Sequence, residues 1–146
     1  MQFKTSFFLY ILMEERRYTL GKSERLCSKK LIERLFAGGN KSFPAFPMRV
    51  VYMPLGAEEE GAEVSILISV PKKRFKRAVK RNLVKRQVRE AYRRNKYILL
   101  DAIRQSEHPE KLVLAFIWLD SRLHSSDEVE HKMKKLLYHI AEEKLQ

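Results

Sequence analysis

The stretch from Pro71 to Lys96, PKKRFKRAVKRNLVKRQVREAYRRNK, carries most of the chemistry this chain can offer: 13 lysines and arginines against the single carboxylate of Glu90. Read as a helix from about Ala78 to Asn95, it places Arg81, Lys85, Arg89 and Arg93 four residues apart, so their heads stack along one side, with Arg86 flanking. Val84, Val88 and Ala91 form an apolar stripe beside that band. An arginine fork clamps pairs of phosphate oxygens, and a lysine supplies a compact point charge. Asn82 lies next to the band; its amide donates and accepts, so it can read a base edge or a ribose hydroxyl, the plain alternative being a surface amide with no role. Solvated helix faces usually mix signs, whereas this run repels itself unless an anion lies alongside. Tyr92 is the one aromatic expected near the band, so the surface suits the shape and backbone of folded RNA better than base stacking along a single strand.

Catalytic arrangements are missing from the sequence. There is no G-x-x-x-x-G-K-[ST] loop and no G-x-G-x-x-G. His108, His124, His131 and His139 have no metal spacing, and a solvent-facing place is expected for His131 and His139. Glu58, Glu59 and Glu60 read as a solvated loop, and no Ser/His/Asp or Cys/His set stands out. The chain by itself does not read as a catalyst or as a holder of metal.

The elements that must carry the basic helix follow from the rest of the 146 residues. The formal net charge is +12, and the Pro71–Lys96 stretch accounts for all of it, since the remaining residues carry 17 charges of each sign. The length fits one domain. Five Gly, five Pro and the lone Cys27 exclude collagen and disulfide scaffolds, and a single cysteine fits a reducing compartment. The apolar run Phe7–Met13 is too short to span a bilayer, which takes about 20 apolar residues. It also lacks the flanks of a signal peptide. Residues 1–20 are read as an N-terminal extension, with Met13 as a plausible internal start, and residues 21–146 as the domain.

Ser28 opens a first helix, SKKLIERLFAGG, with Leu31, Ile32, Leu35 and Phe36 on one stripe and Gly38-Gly39 as its stop. Phe46–Met53 reads as a strand with Met48, Val50 and Tyr52 on one face and Arg49, Val51 and Met53 on the other. Val64–Val70 reads as an apolar strand covered on both faces, and Lys111–Leu119 as the central strand, with Trp118 in the core. A further helical stretch is expected over Tyr97–Arg104. Ser125 and Glu128 form a capping box ahead of a closing helix with Val129, Met133, Leu136, Leu137 and Ile140 inward. The order is helix, strand, strand, basic helix, strand, helix, with room for one more strand before Val64: an α/β sandwich on a small mixed sheet. Phe36, Phe46 and Tyr52 either fill ordinary core or line a groove that accepts an extended strand.

Ser69-Val70-Pro71-Lys72-Lys73 followed by Ala78-Val79-Lys80-Arg81-Asn82-Leu83-Val84-Lys85-Arg86-Gln87-Val88-Arg89-Glu90-Ala91-Tyr92 closely resembles the signature of the protein subunit of bacterial ribonuclease P, and Arg25-Leu26 with Leu35-Phe36-Ala37-Gly38 resembles that family's first helix. The resemblance covers Arg25 to about Gln146. It implies an α+β sandwich on a four-stranded mixed sheet, with a left-handed βαβ crossover through the basic helix where general chain rules favour a right-handed one. It implies a cytoplasmic, membrane-free protein that pairs one to one with a catalytic RNA. That complex is an endoribonuclease which removes the 5′ leader of precursor tRNA, with the active site and its Mg²⁺ held mainly by the RNA. By matched position, Arg81, Asn82, Lys85, Arg86 and Arg89, with Lys72 and Lys73 nearby, contact the catalytic RNA, and Ile32, Phe36, Val50, Tyr52 and Ser69 line a cleft for the leader.

Three positions depart from the family pattern. Leu83 replaces the second arginine of an Arg-Asn-Arg triplet, Lys76 stands where many members have glycine, and Ile32 replaces an aromatic. Two other classes compete with this reading: a structural RNA-binding protein of similar sandwich, and a DNA-binding module. The first lacks a reason for the Val-Pro-Lys-Lys strand end ahead of the loaded helix, and the second lacks helix-turn-helix or zinc spacing.

Overall fold

The computed structural model describes residues 16–56 and 58–146. The apolar run Phe7–Met13 and the alternative start at Met13 lie outside the described residues. Helix α1 spans Lys29–Phe36, β1 Lys41–Ala45, β2 Met48–Leu55, β3 Val64–Ser69, α2 Ala78–Asn95, α3 Tyr97–Gln105, β4 Lys111–Trp118 and α4 Ser126–Leu145. The sheet order is β1-β2-β4-β3, with β1–β2 and β2–β4 antiparallel and β3–β4 parallel. The parallel pair is joined through α2 and α3, so the basic helix lies in the crossover as expected.

Strand β1 departs from expectation. The sequence reading places its spare strand in the loop before Val64, where turns and bends stand instead, and the extra strand is Lys41–Ala45. The physical reason is the edge: Pro44 has no N–H to donate, which an edge strand tolerates, and β1 pairs with β2 alone, Pro44 opposite Arg49. Strand β4 is interior, and its Leu112–Phe116 run is buried.

The sheet divides the core in two. On one face Met48, Val50 and Tyr52 of β2, Val64 and Ile66 of β3 and Leu112, Leu114, Phe116 and Trp118 of β4 meet Val84, Val88, Ala91 and Tyr92 of α2 and the inward row of α4. On the other, Val51, Met53 and Leu55 of β2 and Val113 and Ala115 of β4 meet Leu26 and Leu35, with Ile32 and Leu67 half-buried beside them. Period-two alternation makes this split unavoidable. The first face is thickly covered. Among the described residues the second carries the short α1 and the segment at Leu26, and Ser42 and Arg49 stay exposed on it.

Tyr92 is corrected by the structure. It was placed beside the cation band and is 0% exposed, packed 5.9 Å from the Phe116 ring, where burial and the nearby charge of Glu24 push its phenol well above its ordinary pKa. The last residue of the basic stretch, Lys96, is buried too. Its ammonium donates to Glu24 at 2.8 Å and to the Thr19 carbonyl at 2.5 Å. Residues 16–20 run over the same region: Arg16 pairs with Asp101, the Arg17 amide donates to the Tyr97 hydroxyl, and Arg93 donates to the Tyr18 carbonyl.

Candidate nucleic-acid interface

Helix α2 begins without help from its ends. Arg77 caps it with extended backbone and no side-chain bond, and its first turn holds no carboxylate. Cations at a helix N-terminus oppose the macrodipole, so the packing of the opposite face, through Val84, Val88, Ala91 and Tyr92, must carry the helix. Arg81 is half-buried, and one nitrogen donates at 2.7 Å to the carbonyls of both Phe75 and Lys76. Phe75 is sunk in the core, and the Arg74 amide closes a turn onto the Pro71 carbonyl at 3.0 Å. The loop bearing Lys72 and Lys73 is thus pinned at the head of α2, and both lysines are exposed.

The charge then sorts by position. Among the described residues, Lys72, Lys73, Lys80, Lys85, Arg86 and Arg89 form no ion pair, while Arg93 pairs with Glu90, Arg94 with Glu130 at 3.3 Å and Lys96 with Glu24. The N-terminal two thirds of α2 therefore present unneutralised cations, with Asn82 exposed among them, while the cations at its C-terminal end are ion-paired and Lys96, just past the helix, is buried. Such a surface gains most by displacing counterions from a phosphate chain. Gln87, which sequence reasoning passed over, ties α2 to the β4–α4 loop by donating to the His124 carbonyl at 2.9 Å and the Ser126 hydroxyl at 3.3 Å.

A second concavity lies on the thinly covered sheet face. Ser28 accepts from the Leu31 amide at 3.4 Å and starts α1; Asn40 donates at 2.8 Å to the carbonyls of Arg34 and Leu35 and closes it. Gly38 and Gly39 take positive φ, 99° and 80°, which turns the chain from α1 into β1 and which a side chain there would strain. Leu35, Phe36, Gly38, Asn40, Ser42, Arg49 and Val51 enclose a pocket of about 180 Å³. Phe36 is 46% exposed above it. Ser69 lies on the same sheet face, opposite Ile117, and Ile32 packs at its inner side.

Two residues expected in this cleft are elsewhere. Val50 and Tyr52 point through the sheet to the opposite face, 0% and 3% exposed, and the Tyr52 hydroxyl donates to Glu143 of α4. Burial and that carboxylate raise the phenol pKa. The β2 residues that meet α1 are their neighbours, Arg49 and Val51. Val50 and Val51 are alike apolar enough to be buried, so the valines themselves do not mark which row α1 covers. Arg49, exposed at the pocket rim, was the available signal.

Among the described residues, no three His, Cys, Asp or Glu side chains converge to hold a metal ion, and no helix is long and apolar enough to cross a membrane. His139 is not simply solvent-facing: its ring stacks on Phe43 at 3.7 Å between centroids and 4° between planes.

An α+β sandwich with a mixed four-stranded sheet, one bare cationic helix and an open cleft on the opposite sheet face is the class that fold and site define. Within that class the chain belongs to the ribonuclease P protein family: the family model described as Ribonuclease P matches residues 20–141. A ribonuclease P protein component from Porphyromonas gingivalis is 47% identical over 124 residues, covering 85% of this chain and 88% of that protein. One from Chlorobaculum tepidum is 31% identical over 137 residues, 87% and 88% of the two chains. The solved ribonuclease P protein from Thermotoga maritima superposes with a TM-score of 0.60 at 25% identity, covering 80% of this chain and 96% of that one. The fold of the Staphylococcus aureus protein matches with a TM-score of 0.63 at 18% identity, over 82% and 96%. Membership ties the chain to a ribonucleoprotein of tRNA processing.

Proposed function

We propose that this chain binds the catalytic RNA of ribonuclease P, one to one, through the exposed face of α2, and holds the 5′ leader of precursor tRNA in the cleft between α1 and the sheet. The observation that carries this reading is the sorting of charge along α2, with unpaired cations over its N-terminal two thirds and ion-paired ones at its C-terminal end. Lys72, Lys73, Lys85, Arg86 and Arg89 supply phosphate contacts, and Asn82 supplies the neutral contact to a ribose or base edge. Arg81 keeps only part of its guanidinium for RNA and otherwise positions the two lysines. In the cleft, Phe36 offers a ring, Arg49 a cation, and Ile32, Val51 and Ser69 the floor and walls.

The protein's part is then electrostatic and positional. Hydrolysis of the leader bond belongs to the RNA, which also holds the Mg²⁺; the protein places the leader against it in the cytoplasm. The test is cleavage of precursor tRNA by ribonuclease P RNA at low Mg²⁺, with and without the protein. Cleavage that needs the protein and is lost on Arg86→Glu with Arg89→Glu supports the reading. Cleavage indifferent to the protein overturns it, and tight binding to unrelated structured RNA with no gain in cleavage favours a structural RNA-binding protein.

A further inference from the structure

Strand β1 has two faces and, among the described residues, one unpaired edge. Ser42 faces the α1 cleft, while Phe43 and Ala45 face α4. Between β1 and α4 lies a groove of about 640 Å³ unrelated to the cation band of α2. Its chemistry is particular. The Phe43 and His139 rings stack, and Tyr138 stands 55% exposed beside them. Lys132, Lys134 and Lys135 line the groove, and among the described residues none of the three forms an ion pair. Glu142 is the one carboxylate in the lining. Aromatic rings flanked by unpaired lysines are what an unpaired nucleotide requires: a π-face for the base and cations for the backbone. An acidic peptide would use the lysines but leave the rings idle, whereas a nucleotide sets its phosphate against the lysines and its base against a ring.

We propose that the β1–α4 groove is a second single-stranded RNA subsite, continuous with the α1 cleft across the β1 edge, which takes leader nucleotides lying farther from the cleavage point than those in the cleft. The continuity rests on the leader reading of the cleft; the affinity of the groove for unpaired RNA does not. β1 is the edge strand, and its consecutive residues Ser42 and Phe43 face the cleft and the groove, so the step from one to the other rounds a single strand. Longer leaders then gain contacts that shorter ones cannot reach.

The experiment uses the full protein and two kinds of probe: an unstructured RNA oligonucleotide, and precursor tRNAs with short and long leaders bound to the assembled complex. Lys132→Glu with Lys135→Glu removes the backbone contacts and leaves the core row of α4 untouched, and Tyr138→Ala removes an exposed ring. Expected results are about a tenfold loss of oligonucleotide affinity, as loss of stacking or phosphate contacts gives, and a salt slope less steep by about 1.4, at roughly 0.7 for each of two phosphates on a single strand. For precursor tRNA the loss appears with long leaders alone. Unchanged oligonucleotide affinity overturns the subsite outright. Lost oligonucleotide affinity with equal effects on short and long leaders overturns its continuity with the cleft. Phe36→Ala serves as the internal reference: if it affects short leaders and the α4 variants affect neither length, the groove proposal falls and the cleft reading stands. If Phe36→Ala is also without effect, the cleft reading falls too.

Discussion

Arg81 and Phe75 are joined by a 2.7 Å hydrogen bond from guanidinium to backbone carbonyl, and the same nitrogen reaches the Lys76 carbonyl at 2.7 Å. A residue that belongs by sequence to the phosphate-facing band is therefore also the clamp that holds the preceding loop. Charge and geometry can be separated in it, because lysine keeps the charge but its flexible stem ends one bond short of the Arg81 nitrogen that reaches both carbonyls.

Arg81→Lys is accordingly expected to keep the salt slope of RNA binding nearly unchanged while loosening the loop. A charge-assisted bond of this kind is worth about 1.5–3 kcal/mol where it is well made. Hydrogen exchange at the Arg74 amide, which closes onto the Pro71 carbonyl, reads the loosening directly. Faster exchange at Arg74 with an unaltered slope is the expected pair of results. Unaltered exchange would mean that Phe75 alone anchors the loop.

The two faces of β2 give a second expectation. Phe36→Ala removes an exposed ring over the cleft, so precursor tRNA should bind more weakly by about 1–3 kcal/mol while mature tRNA is unaffected. Tyr52→Phe removes the hydroxyl that bonds Glu143 on the far side of the sheet and should leave the discrimination between precursor and mature tRNA intact. Binding of both tRNAs to both variants checks this. Loss of discrimination in Tyr52→Phe would show that the far face communicates with the cleft.

That pair also marks where sequence reading stops. Helix α2 could be read from Ala78 to Asn95, because Pro71 ends the preceding strand and the Val84, Val88, Ala91 stripe has a single period. The N-cap at Ser125 was equally local, its side chain accepting from the Glu128 amide at 3.2 Å, though the Glu128 carboxylate turns to His124 instead of closing the expected capping box. The cleft was not local. Val50 and Val51 are both valines on a strand buried on both faces, and only the landing of α1 decides which one meets it. Strand β1 was illegible for a related reason: Pro44 counts against a strand until β1 is known to be an edge. The burial of Tyr92 and Lys96 depends likewise on what α2 and residues 16–20 pack against, which no helical projection contains.

His124 predicts a pH dependence of stability. Burial alone would lower its pKa, but hydrogen bonds to Asp120 at 2.7 Å and Glu128 at 3.0 Å, with their charges, outweigh burial and hold it above the ordinary histidine value. A pKa raised by folding means that the protonated form favours the native state. The stabilisation is full below the unfolded value of about 6.5 and fades as pH rises through the higher folded value. Melting temperature should therefore fall between mildly acidic and mildly alkaline pH, and His124→Gln should flatten that part of the curve. Because the His124 carbonyl accepts from Gln87, the same loss should loosen the contact between α2 and the β4–α4 loop. An equal slope in the variant would assign the pH dependence to other groups.

Leu83 stands where many relatives in the resemblance carry an arginine, and it is 41% exposed on the cationic helix, four residues beyond the exposed Val79. Nothing in the core needs it, so Leu83→Arg leaves no cavity and should shift stability by less than about 0.5 kcal/mol, the range of ordinary surface substitutions. The wild-type band, with about five phosphates neutralised, should give a salt slope near −4 to −5 at about 0.9 per phosphate. If the Leu83 position faces the RNA, the added guanidinium makes one more contact, and the slope steepens by about one unit while affinity at low salt rises. If it faces away, the slope and affinity stay where they were and the melting temperature is unchanged. A marked drop in melting temperature would instead mean that Leu83 is covered in solution. Affinity across a salt series, with melting temperature measured on the same preparation, separates the three outcomes and fixes which side of α2 the RNA occupies.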